Sequence, residues 1–123
     1  MTTPYELITK EKLYAIIDTF YQYVEKDNRI NHLFPGDFKE TARKQKQFLT
    51  QFLGGPTLYS DEHGHPMMRA RHMHFKIGQL EKEAWLENMT KAIDAHQLES
   101  ELRQYLLERL TLTAEHMVNQ YDE

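Results

Sequence analysis

The sequence predicts an all-α fold. Apolar residues recur at i, i+3, i+4 and i+7 in successive stretches, the spacing of a helix face turned toward a core. Capping residues or Gly/Pro breaks separate those stretches. No run of β-branched or aromatic residues alternates with polar ones as a half-buried strand would.

The elements follow in order. Thr3-Pro4-Tyr5-Glu6 is a helix start, with a capping threonine, proline in the first turn and glutamate three residues on. That helix spans only a turn or two, because Thr9 opens another capping signal. Leu13, Ile16, Ile17, Phe20, Tyr21 and Val24 form the buried stripe of the second helix. Asp27-Asn28 breaks it, and Ile30, Leu33 and Phe34 make a short apolar patch before Pro35-Gly36 turns the chain. Asp37 with Glu40 opens a third helix whose inner stripe reads Phe38, Thr41, Gln45, Phe48, Leu49, Phe52. Gly54-Gly55-Pro56 ends it, glycine supplying a left-handed cap and proline preventing continuation. Residues 56–68 show no clean period and read as irregular. A short helical turn over 69–75 carries His72. Gly78 with Glu81 caps a helix lined by Trp85, Met89, Ala92, Ile93 and His96. Ser100 is expected to cap the last helix, with apolar positions Leu102, Leu106, Leu110, Thr113 or Ala114, Met117 and Tyr121.

Length and composition bound the function. At 123 residues the chain suits one core, and it is expected to be a single domain over residues 1–123. A net charge of −4, with no basic patch to offset it, argues against nucleic acid and anionic membrane as partners. The absence of cysteine excludes disulfides, thiolate zinc, iron–sulfur clusters and covalent c-type haem attachment. With no signal peptide and no apolar run approaching about 18 residues, a cytoplasmic location is expected.

The third helix carries the anomaly. Thr41 and Gln45 lie four apart on one helical face, inside an apolar stripe. A buried amide without partners costs roughly 1–3 kcal/mol, so both groups should be bonded, with Tyr21 and the Trp85 indole as candidate partners. A single histidine on a short segment, facing polar groups set into apolar helices, suits a haem pocket, since neutral imidazole is a good iron ligand. Each residue alone has a plainer reading. Tyr21 and Trp85 serve as core aromatics in most helical proteins, and Arg71 fits a solvated surface as well as a haem propionate. His32, His63, His96 and His116 read as surface or structural side chains. A non-haem metal site finds little support, because the residue four on from each histidine is never a metal ligand and no HExxH occurs.

The blocks DTFYQYV (18–24), HLFP (32–35), ETARKQKQFLTQFLGGPTLYSDEHGHPMMRARHMHF (40–75), AWLENM (84–89) and LTAEHMVN (112–119) together resemble the truncated haemoglobins of the second group. The resemblance covers essentially the whole chain. It implies a globin-like two-over-two helical sandwich around haem b, with His72 as the proximal iron ligand. Tyr21 matches the distal tyrosine and Trp85 the pocket tryptophan. Thr41 and Gln45 match two variable distal positions where other members carry Ala and Leu. Phe34 lies against the haem edge, and Phe48, Phe52 and Phe75 contact the porphyrin. Lys44 and Arg71 occupy propionate-contacting positions, with Tyr59 as a further candidate. The chain departs from the family at two places. Leu7-Ile8-Thr9-Lys10 stands where a glycine usually joins the first two helices. Gly78 replaces a common hydroxyl cap, which should loosen the connection after His72.

The resemblance implies high-affinity, reversible oxygen binding with slow release, because Tyr21, Gln45 and Trp85 can donate hydrogen bonds to a ligand that gains negative charge. Carbon monoxide, nitric oxide and sulfide are further haem ligands on this reading. The alternatives are a redox enzyme, either peroxidase-like or a nitric oxide dioxygenase served by an external reductase, and a sulfide-binding or sensing protein. The expected assembly is a monomer or a weak homodimer.

Overall fold

A computed structural model of the chain describes residues 2–34, 36–67, 70, 72, 73 and 75–120. The helices that lie wholly among these residues are α1 (Pro4–Ile8), α2 (Lys10–Glu25), a 3-10 turn (Asn31–Leu33), α3 (Phe38–Phe52), α4 (Leu58–His63), α5 (Gln79–Ala95) and α6 (Ser100–Met117). No strand occurs among the described residues. No described helix is long and apolar enough to cross a membrane.

Helix α2 organises the core. Its stripe Leu13, Ile16, Ile17, Phe20, Tyr21 and Val24 is buried throughout. It packs against α5 and α3, while α5 packs in turn against α6, so two helix pairs meet through α2. On α5 the buried residues include Ala84 and Ala92, both fully enclosed, and side chains that small let helix axes approach closely. Each fully buried Leu, Ile or Phe contributes roughly 1.5–3 kcal/mol, which makes the α2 stripe a large local source of stability.

The Gly54-Gly55 break has two separate causes. Gly54 adopts φ +93°, and a Cβ on Gly55 would lie 2.7 Å from the Tyr5 ring and 2.9 Å from the Thr50 carbonyl oxygen. This close approach lets α1 dock on the end of α3, where the Tyr5 N–H donates to the Leu53 carbonyl at 3.0 Å.

Two local expectations are corrected. Residues 58–63 are helical rather than irregular. Gln51 holds Ser60 through both its amide oxygen (2.9 Å) and its amide nitrogen (2.8 Å), and Arg43 forks onto Glu62 at 2.8 and 2.7 Å. Tertiary contacts with α3 thus build α4, which has no periodic stripe of its own. At the start of α6 the cap is Glu99, not Ser100: its carboxylate accepts from the N–H groups of Glu101 (3.2 Å) and Leu102 (3.3 Å). Ser100 is already the first helical residue.

Thr9 joins α1 to α2 with φ +76° and ψ +148°, a region that costs a β-branched residue on the order of 1–3 kcal/mol. Its hydroxyl partly offsets that strain by accepting from the Lys12 N–H at 3.4 Å. The departure from glycine is tolerated with a glycine-like conformation kept.

The break after α2 is a charged clasp. Asp27 accepts from the Arg29 guanidinium at 3.0 and 2.8 Å and from the buried Asn88 amide on α5 at 2.9 Å. Arg29 also pairs with Glu87. The Arg29 hydrogen bonds, with the Asn88 amide adding to them, hold the Asp27 carboxyl well below the usual carboxylate range. A carboxyl lowered on folding stabilises the fold above its unfolded pKa of 3.8, and that stability is lost as pH falls toward the folded value. Asp27→Asn should therefore lower the melting midpoint at pH 7 and flatten its fall below about pH 4. A midpoint-against-pH curve parallel to that of the parent would contradict this.

Candidate functional site

The helices do not close completely. They enclose a cavity of about 710 Å³, a size in the range of small-ligand and cofactor sites. Tyr21 enters from α2; Thr41, Lys44, Gln45 and Phe48 from α3; Tyr59 from α4; and Trp85 with Glu81 and Lys82 from α5. The segment before α5 supplies Ala70, His72, Phe75 and Ile77. The remaining wall is Ile30, Leu33 and Phe34 near the 3-10 turn, with Leu110, Thr113, Ala114 and Met117 from α6.

Aromatic packing positions the polar groups. Phe20 meets Tyr21 edge-on at 4.8 Å and Trp85 at 5.1 Å. Phe34 flanks Tyr21 at 5.7 Å and Phe38 at 6.2 Å. Burial pushes the Tyr21 phenol well above the ordinary tyrosine range, so it stays protonated and able to donate. Tyr59 is wedged between Phe48 and His63, with ring centroids 5.8 and 4.8 Å away.

The expected bonds among the polar residues are not formed. The Thr41 hydroxyl donates to the Asp37 carbonyl one turn back at 3.3 Å, the local alternative that short hydroxyl side chains take. Among the described residues, the Tyr21 hydroxyl, the Gln45 amide and the Trp85 indole have no hydrogen-bond partner, and all three residues line the cavity. Three hydrogen-bonding groups converge on one apolar space.

His72 is half-buried, its ring 6.2 Å from that of Phe75. The turn carrying it is closed by the Phe75 N–H, which donates to the His72 carbonyl at 3.0 Å. The connection beyond is tied down rather than loosened at Gly78. The Gly78 N–H donates to Glu81 at 2.8 Å, and the Ile77 N–H donates to the Asn119 side chain at 2.9 Å.

Phe52 falls outside the cavity lining. It lies one turn beyond Phe48, ring centroids 5.5 Å apart, beneath the Arg109 guanidinium at 4.8 Å. Four residues advance a helix by about 6 Å, which carries this ring past the lining that Phe48 supplies. Phe52 thus packs beside Phe48 and under Arg109 rather than among the residues that line the cavity.

Lys44 is exposed and lines the cavity. Arg71 lies outside the described residues, as does Tyr121. Sequence reasoning missed Ile77, Lys82 and Asn119, read Glu81 only as a cap, which it also is, and read Leu110, Ala114 and Met117 as core. Their helical spacing was visible, but nothing local distinguishes a stripe facing a cavity from one facing another helix.

The bacterial-like globin family model matches residues 3–119. The group 2 truncated haemoglobin YjbI of Bacillus subtilis is 56% identical over 117 residues, covering 95% of this chain and 89% of that protein. This chain belongs to the group II truncated haemoglobins. Among solved structures, the group II truncated haemoglobin of Bacillus anthracis superposes with a TM-score of 0.96 at 51% identity, covering 100% of this chain and 95% of that one. The truncated oxygen-avid haemoglobin of Bacillus subtilis gives a TM-score of 0.93 at 54% identity, covering 96% and 100%. The all-helical fold is thus that of a truncated globin, and membership implies haem binding. The cavity fits such a group: a mostly apolar enclosure with an imidazole on its wall and hydrogen-bonding groups that have no partner among the described residues.

Proposed function

We propose that this truncated haemoglobin binds haem b in the 710 Å³ cavity and uses it to hold oxygen tightly, with slow release. The observation carrying this reading is the set of three groups, on Tyr21, Gln45 and Trp85, that line the cavity without a hydrogen bond among the described residues. When bound, haem iron supplies a reversible site for small diatomic ligands. His72, on the cavity wall, would supply an imidazole to hold the iron. Lys44 and Arg71 serve as propionate partners, Tyr59 as a further one, and Phe34, Phe48 and Phe75 as walls for the macrocycle. The neutral Tyr21 phenol, the Gln45 amide and the Trp85 indole would supply donors to a small ligand held there that gains negative charge, which would favour oxygen over carbon monoxide. The oxygen-avid relative from Bacillus subtilis supports the same reading.

His72→Gly should leave haem weakly held and recoverable with free imidazole, read from the ferrous absorption spectrum. An unchanged histidine-ligated spectrum in that variant would assign the iron to another residue. Trp85→Phe keeps an aromatic wall and removes one donor. Oxygen release, followed by stopped flow, should speed by roughly tenfold, as loss of about 1.4 kcal/mol implies. Unchanged release would make Trp85 a packing residue only.

A further inference from the structure

We propose that Asn119 is a positioning residue for His72, an inference that rests on the reading of His72 as the iron ligand. Asn119 follows the end of α6, and its side chain reaches back to partners 42 and 44 residues earlier. Its Oδ1 accepts the Ile77 N–H at 2.9 Å. Its Nδ2 donates to the Phe75 carbonyl at 2.8 Å and, more weakly, to the His72 carbonyl at 3.4 Å. Its own backbone N–H donates to the Ile77 carbonyl at 2.8 Å, and the Gln120 N–H joins there at 3.1 Å.

These are the backbone groups of a segment that has no regular ladder. Residues 75–78 run between the turn of His72 and the start of α5 outside any helix, and buried backbone groups left unpaired are costly. One amide satisfies a donor and two acceptors at once. Aspartate has no donor for the two carbonyls, and an aliphatic side chain has neither function. The backbone carrying His72 is thereby tied to the end of α6, whose Met117 also lines the cavity. Fixing the backbone on the C-terminal side of a ligating histidine limits how far its ring can tilt or withdraw. Partners behind a ligand commonly orient it in this way.

The test compares Asn119→Ala, Asn119→Asp and the parent as haem-loaded full-length protein. Two measurements are made: the iron–histidine stretching band of the ferrous form by resonance Raman, and amide exchange at Ile77. Asn119→Ala should shift or broaden the band, speed Ile77 exchange by about tenfold and speed haem loss several-fold, with exchange in the α2 core unchanged. Asn119→Asp retains the acceptor for Ile77, so its exchange should change less while the band still moves. If Asn119→Ala folds poorly, the Asp variant carries the spectroscopic test. A band identical to the parent's in the folded variants would overturn the proposal, as would exchange accelerated uniformly across the core. A parent protein with no histidine band would instead overturn the His72 reading itself, and the parent sample alone reveals that outcome.

Discussion

Phe20 sits fully buried where α2 packs on α5, and its ring meets Tyr21 on one side and Trp85 on the other. The same apolar contact that joins the helix pairs therefore sets the direction of two of the three unpaired polar groups. Core packing is close to crystalline in density, so neither ring can turn without disturbing the α2–α5 contact. Gln45 joins them from α3, the other partner of α2. The stability of the fold and the geometry of the cavity are consequences of one packing arrangement.

The cavity wall carries Tyr21, Gln45 and Trp85 without a hydrogen bond to another described side chain. A ligand that binds only the folded protein adds stability in proportion to the logarithm of its concentration over its dissociation constant. On the proposed reading, haem fills the apolar volume while its small ligand meets the polar groups. On the same proposed reading, the lack of a partner for Tyr21, Gln45 and Trp85 among the described residues would be the basis of ligand selectivity.

Periodicity made the helix stripes legible, because burial of one face leaves a local signature. The Thr41–Gln45 anomaly was legible for the same reason, as polar residues breaking an apolar stripe. Their partners were not: Thr41 bonds to the residue capping its own helix, and Gln45 bonds to no described residue. Helix α4 was hidden because Gln51 and Arg43 on α3 create it from outside. Glu99 was missed because a glutamate cap is less usual than the serine beside it. Asn119 had no local signature at all, since its partners lie 42 to 47 residues earlier. Thr9 shows the converse case, where the resemblance flagged a missing glycine and the backbone retains a glycine-like angle.

Whether Tyr21, Gln45 and Trp85 all donate to one ligand that gains negative charge is tested most directly by oxygen release measured against carbon monoxide release. The comparison uses the parent and the combined variant Tyr21→Phe, Gln45→Leu, Trp85→Phe, both loaded with haem. Loss of about 1.4 kcal/mol per donor should speed oxygen release by roughly a thousandfold, with carbon monoxide release changed only a few-fold. Equal changes for the two gases, or no change for oxygen, would contradict the account.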